Sequence, residues 1–168
     1  MPAHVSHNSG NNEWYTPAPI IEAAREVFGG AIDIDPASNN VAQEIVKART
    51  YYTSETNGLI YPWFGKVWMN PPYAATLIKQ FSAKLVSDFE DGWVDEAITL
   101  TNNSTETKWF QAIAEISSAV CMPKGRVRFW APGKLATPLQ GQSITYVGKN
   151  PDRFVKVFKE IGVVFVKV

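Results

Sequence analysis

From Thr16 to about Met122, stretches of helical period alternate with short apolar runs of strand character, and few architectures accept that order. Thr16-Pro17 offers an N-cap and a first-turn proline. Ile20, Ile21, Ala24, Val27 and Phe28 then recur at helical spacing until Gly29-Gly30 stops the helix. Ala31 to Asp35 reads as a strand broken at Pro36. Asn40 with Gln43 resembles a capping pair for a helix running to about Arg49. Thr50 to Thr53 reads as a strand, Ser54 to Gly65 as a loop, and Lys66 to Asn70 as a strand ending at Pro71. Leu77, Ile78, Phe81 and Leu85 mark a further helix, followed by a strand over Ala97 to Thr101. A helix from about Glu106 to Ser117 leads to a strand at Ser118 to Met122. Such alternation implies an α/β fold, mainly a parallel sheet with helices on both faces. Arg126 to Trp130 and Ser143 to Val147 look like hairpin-type strands around a Gly/Pro-rich loop. A helix carrying Phe154, Val157, Phe158 and Ile161 precedes a last strand over Val163 to Val168. This late strand-rich stretch predicts an antiparallel C-terminal edge.

The 168 residues suit one domain, 13–168, behind a polar leader at 1–12 that reads as mobile. The apolar runs are too short for a membrane span, and the start lacks the pattern of a secretory signal. Cys121 is the single cysteine, which excludes an internal disulfide and a multi-cysteine zinc site. His4 and His7 lack carboxylate or cysteine companions, so no metal is expected. These features predict a cytoplasmic protein. Sixteen basic and sixteen acidic side chains cancel, so net charge alone says nothing about a polyanionic partner. Local clustering does: Lys124, Arg126, Arg128 and Lys134, then Lys149, Arg153, Lys156 and Lys159, all fall late in the chain. Ordinary solvated surface explains them equally well.

The strongest chemical signal is Asn70-Pro71-Pro72-Tyr73, placed just after an apolar strand. In open α/β sheets ligands bind beyond the carboxyl ends of strands. The two prolines fix φ and remove two backbone donors, leaving carbonyl oxygens without competing N–H groups. The Asn70 side-chain oxygen and the Pro71 carbonyl then suit a planar, delocalised amino group. Two acceptors would favour the pyramidal nitrogen that develops when such a group is methylated. Tyr73 offers a flat face to a base turned out of a duplex, and its hydroxyl is not needed for that role. A rigid polyproline-like turn is the structural alternative.

A second constellation joins Trp14-Tyr15-Thr16-Pro17 to Asp33-Ile34-Asp35-Pro36-Ala37-Ser38-Asn39. An acid at a strand end, then small residues and a helix start, suits a cofactor bearing an ammonium and a carboxylate. Asp-Pro after a strand is also a common turn. Without Gly-x-Gly-x-x-Gly, a dinucleotide reading has no foothold.

On these residues the chain resembles the phage-encoded DNA N6-adenine methyltransferase family. The resemblance extends through Asn57-Gly58-Leu59, Trp63 to Tyr73, Asn102 to Thr105, Thr107 to Phe110, Gly125 to Phe129 and Gln140-Gly141-Gln142. It implies a Rossmann-like methyltransferase sheet, S-adenosylmethionine as donor and DNA adenine as acceptor, in a monomer or homodimer in the host cytoplasm. By position, Trp14, Tyr15, Thr16, Asp35, Ala37 and Ser38 correspond to the cofactor shell. Asn57 corresponds to a contact with the cofactor's adenine, and Asn70, Pro71, Pro72 and Tyr73 to the catalytic loop. Ala37-Ser38-Asn39 departs from the usual glycine-rich loop of wider methyltransferases.

Lys124, Arg126 and Arg128 are candidate phosphate contacts, the two arginines sharing a face by alternation with Val127 and Phe129. Gln140 and Gln142 flank Gly141 in what reads as a loop able to reach bases. Asn102 and Asn103 either line a base pocket or cap the next helix. Trp63, Trp68, Trp109 and Trp130 read as packing residues. RNA adenine, cytosine N4 or a protein glutamine amide present a similar amino group, and a catalytically silent DNA-binding module is the reading from another class.

Overall fold

A computed structural model describes residues 14–136 and 140–168; the leader, Glu13 and positions 137–139 lie outside the described residues. The elements run α1 (Ala18–Val27), β1 (Ile34–Asp35), α2 (Gln43–Val46), β2 (Thr50–Tyr51), a 3-10 turn (Gly58–Ile60), β3 (Gly65–Met69) and α3 (Ala75–Glu90). They continue with β4 (Val94–Asn102), α4 (Lys108–Ile116), β5 (Ala119–Pro123), β6 (Phe129–Ala131), β7 (Lys134–Ala136), β8 (Gln142–Val147), α5 (Pro151–Phe158) and β9 (Gly162–Val166). Seven strands form one sheet in the order β2-β1-β3-β4-β8-β5-β9. β2, β1, β3 and β4 are parallel neighbours. β8 runs antiparallel to both β4 and β5, and β9 antiparallel to β5 at the outer edge.

Alternate side chains of the central strands are buried on opposite faces. Trp68, Ile98, Leu100, Ile144 and Tyr146 pack with α1 and α5 through Ile20, Ile21, Val27, Phe28, Phe154 and Phe158. Val67, Met69, Ala97 and Val147 pack on the other face with Phe81 and Leu85 of α3 and Ile113 of α4. Trp63 and Trp68 are fully buried, as their reading as packing residues requires. Parallel strands covered on both faces by helices are the architecture expected from the alternation.

Two expectations need correction. The segment preceding Trp130 does not pair with Ser143–Val147. Instead β6 pairs with β7 in a separate two-stranded hairpin. All six residues of β8 are buried, with helices covering both faces and β4 and β5 pairing on either edge, whereas Arg126 and Arg128 are exposed. The reversed strand therefore enters the sheet interior, and only β9 supplies the predicted antiparallel edge. The helix caps also differ. Pro17, with no side-chain cap, opens α1, and the Thr16 hydroxyl turns elsewhere. Asn39, not Asn40, caps the α2 region by accepting from Ala42 N at 2.9 Å. Lys47, at φ 50°, stops α2 well before Arg49.

Loop Ser54–Phe64 is tied to the end of β1 through Gly58. A Cβ placed on Gly58 would meet the Pro36 carbonyl oxygen at 2.1 Å, and backbone cannot yield as a side-chain tip can. Asn57 adopts φ 56° to start the 3-10 turn, and Trp63 Nε1 donates to Gly58 O at 2.8 Å to hold it. Gly58→Ala is expected to cost about 1–3 kcal/mol or more, as overpacked cores do. Urea unfolding checks this, and an unchanged midpoint would contradict the close approach.

Candidate active site

Polar side chains converge at the carboxyl ends of β3 and β4, where the buried apolar strands stop. Met69 is the last residue of β3, and Asn70 follows it into the loop leading to α3. Asn70 Nδ2 donates to Thr16 Oγ1 at 3.2 Å, which turns Oδ1 the other way. There Oδ1 accepts from the Tyr73 hydroxyl at 3.1 Å. That hydroxyl also lies 3.1 Å from Gln142 Oε1 and 3.4 Å from Leu100 O. Tyr73 is 39% exposed, while its oxygen sits among these acceptors. Burial raises its pKa, so the phenol is a neutral donor.

Thr16 is delivered by a strap. Residues Tyr15 and Trp130 of β6 exchange backbone hydrogen bonds, Tyr15 N to Trp130 O at 2.7 Å and Trp130 N to Tyr15 O at 3.0 Å. Their rings meet edge to face at 5.0 Å, and Trp130 Nε1 donates to Thr16 O at 3.2 Å. The role found for Trp130 is thus to fasten Tyr15 and Thr16 over the strand ends. Trp14, half-buried, packs against the adjoining apolar core.

The second constellation lies at the tip of neighbouring β1. Asp35 is 2% exposed and accepts from Ala37 N at 3.4 Å and from Gln43 Nε2 at 2.9 Å. Gln43 Nε2 also reaches Ser38 Oγ at 2.8 Å, while its Oε1 accepts from Ala48 N at 2.9 Å. Burial pushes the Asp35 carboxyl up to about 7, against hydrogen bonds from Ser38, Ala37 and Gln43 that favour its charged form. Sequence reasoning saw Gln43 only as a capping residue. Its place eight residues beyond Asp35, at the start of a short helix, was the available clue.

Other candidates separate. Asn57 is exposed, and its side-chain oxygen accepts from Leu59 N at 3.2 Å, a turn-capping task. Thr107, not Asn102 or Asn103, caps α4 by accepting from Phe110 N. Asn102 instead faces Gln142, whose Nε2 donates to Asn102 Oδ1 at 2.8 Å. Gln142 is the buried first residue of β8, not part of a loop. Gln140 stays exposed. Gly141 lies between the two, against the side-chain amide of Asn103. Lys124, Arg126 and Arg128 are exposed on the segment leaving β5. β5 points the same way as β4, so this segment emerges on the side of the sheet where Asn70 sits.

A mainly parallel sheet with two reversed strands, β8 within it and β9 at its edge, and with polar groups gathered at the strand tips fits the Rossmann-like methyltransferase class. Within that class the assignment is direct: the model of the DNA N-6-adenine-methyltransferase (Dam) family matches residues 4–150, and the chain belongs to this family. The family implies methylation of adenine N6 in DNA. A search of curated proteins returned no match.

Because Gln43 stabilises the ionised form of Asp35, Gln43→Ala is expected to move that carboxyl's titration above the value near 7. Carbon-detected NMR of the side-chain carboxyl follows it, and a downward shift would contradict the arrangement.

Proposed function

We propose that the protein transfers a methyl group from S-adenosylmethionine to N6 of an adenine turned out of DNA, by direct in-line transfer. The observation that carries this reading is the fixed orientation of the Asn70 amide. Its nitrogen is committed to Thr16, and its oxygen is presented at the strand tip, where it already accepts a donated hydrogen.

The residues at the β1 tip fit the proposed donor. Asp35 is a buried carboxylate whose hydrogen-bond partners are all neutral, a natural counterpart for an ammonium group. The small residues Ala37 and Ser38 continue the corner, and in this reading Tyr15 and Thr16, held to β6 and to Asn70, complete the donor shell. When bound, S-adenosylmethionine supplies an electrophilic methyl group on a sulfonium. Asn70 Oδ1 and the Pro71 carbonyl accept the amino hydrogens and favour a pyramidal nitrogen, so their stabilisation grows toward the transition state. Asn70 is not basic, so the surplus proton leaves to water. Pro72 keeps the loop stiff and adds no competing donor. The partly exposed Tyr73 ring supplies a stacking face for the extruded base. Lys124, Arg126 and Arg128 suit phosphate contacts beside the opening, and exposed Gln140, two residues before β8, suits a contact to bases. Asn57, beside the Asp35 corner through Gly58, retains its amide nitrogen for a contact with the cofactor's adenine.

Incubation with unmodified DNA and S-adenosylmethionine, followed by digestion to nucleosides, is expected to yield N6-methyldeoxyadenosine. Methylation found only on cytosine, or only in RNA or protein offered in parallel, would overturn the reading. Asn70→Ala is expected to lower kcat on the order of 10²–10³-fold, the scale for loss of one preorganised polar group. Calorimetry should find S-adenosylmethionine binding intact in that variant.

The raised Asp35 pKa gives a pH dependence with a definite sign. The proposed ammonium contact needs the ionised carboxylate, so affinity for S-adenosylmethionine should strengthen as pH rises through about 7. Asp35→Asn should flatten that rise, and an affinity that weakens over the same interval would contradict the contact.

A further inference from the structure

The Tyr73 hydroxyl poses an accounting problem. It carries one hydrogen yet has Asn70 Oδ1 and Gln142 Oε1 both at 3.1 Å, with Leu100 O at 3.4 Å. It can satisfy one acceptor well at a time. An amino group delivered to Asn70 brings its own N–H for Oδ1; that oxygen has two lone pairs, but a phenolic hydrogen kept on it draws on the same charge and weakens it as an acceptor for the amino group. Rotation about the Cζ–O bond removes the conflict without moving any heavy atom, provided another acceptor is waiting.

Gln142 is built to be that acceptor. It is 6% exposed, lies opposite Asn102 in the β4–β8 register, and its Nε2 donates to Asn102 Oδ1 at 2.8 Å. That bond holds the amide so that Oε1 faces Tyr73. Leu100 O is the poorer alternative, longer and part of a strand paired with β8. Resting on the proposed adenine methyltransferase activity, we infer that Gln142 is a positioning residue that takes the Tyr73 hydroxyl hydrogen when a base amino group engages Asn70. Asn102 acts behind it by fixing the amide's orientation. Gln142 thereby works inside the site, not as the loop contact to bases that its neighbourhood in the sequence suggests.

The test is a set of steady-state measurements on an adenine-containing duplex, with S-adenosylmethionine binding measured separately. Gln142→Leu removes the waiting acceptor, so the Tyr73 hydrogen stays on Asn70. One unmade hydrogen bond of this kind corresponds to a fall in kcat of roughly 3- to 10-fold. Affinity for S-adenosylmethionine should not change. The decisive variant combines Gln142→Leu with Tyr73→Phe: deleting the competing hydroxyl should restore part of the lost kcat relative to Gln142→Leu alone. A purely structural role for Gln142 gives no such rescue. Gln142→Met, of similar length, serves the same comparison if the leucine variant does not fold. Gln142→Glu, which keeps an acceptor oxygen and lets Asn102 turn its amide to donate, should stay closer to the parent enzyme than Gln142→Leu.

Unchanged kcat in a folded Gln142→Leu protein, or a double variant no faster than the single one, would overturn the inference. Failure of the parent protein to methylate adenine would instead sink the activity on which it rests, so the two failures are distinct.

Discussion

The central strands are buried on both faces, and that constraint shapes everything placed around them. β3, β4 and β8 bury side chains toward α1 and α5 on one side and toward α3 and α4 on the other. A polar group within those layers must find a partner or lose its hydration uncompensated. Tyr146 shows the requirement met at depth, donating to Glu96 Oε1 at 2.6 Å. Chemistry that needs open, adjustable polar groups is displaced to the strand tips. There the backbone ladder ends, and the loops supply carbonyls and amides of their own.

The reversed strand then decides which residues meet. Parallel neighbours all deliver their last residues to the same rim, as β1 does with Asp35 and β3 with the loop beginning at Asn70. An antiparallel strand delivers its first residue there. β8 starts with Gln142 where β4 ends with Asn102, so two amides far apart in sequence stand opposite each other beside Tyr73. The same reversal sends the exit of β5, with Lys124, Arg126 and Arg128, to that rim.

The alternation of periods made the layered α/β architecture legible, because hydrophobic spacing is a property of each segment alone. The Asn-Pro-Pro-Tyr loop was legible for a related reason: prolines terminate a strand locally, whatever surrounds it. The placement of β8 was not, since a strand's position in a sheet depends on partners its own residues do not specify. Gln142 therefore read as part of a glycine-containing loop, and it is the pairing of Gln142–Val147 with β4 and β5 that places it in the interior. Gln43 was hidden by a different ambiguity. A glutamine near a helix start serves equally well as a cap or as a reach to a carboxylate, and Asp35 takes it. Likewise the Thr16 hydroxyl belonged by rule to the α1 cap, yet Asn70 claims it from 54 residues away. The Tyr73 hydroxyl, superfluous to a stacking role, turns out to bind the site together.

The strap at Tyr15 and Thr16 has a consequence for how the molecule comes into being. Its fastening to Trp130 joins positions 114 residues apart, and Asn70 depends on the strap for the partner of its amide nitrogen. Such distant closures come late on a folding route, because the chain entropy they consume is recovered only once most of the structure surrounds them. The parallel strands therefore lack the fastening of Tyr15 and Thr16 until the chain extends to Trp130. The corner around Asn70 is thus built from three distant parts of the chain, and its completion waits on the hairpin at Trp130.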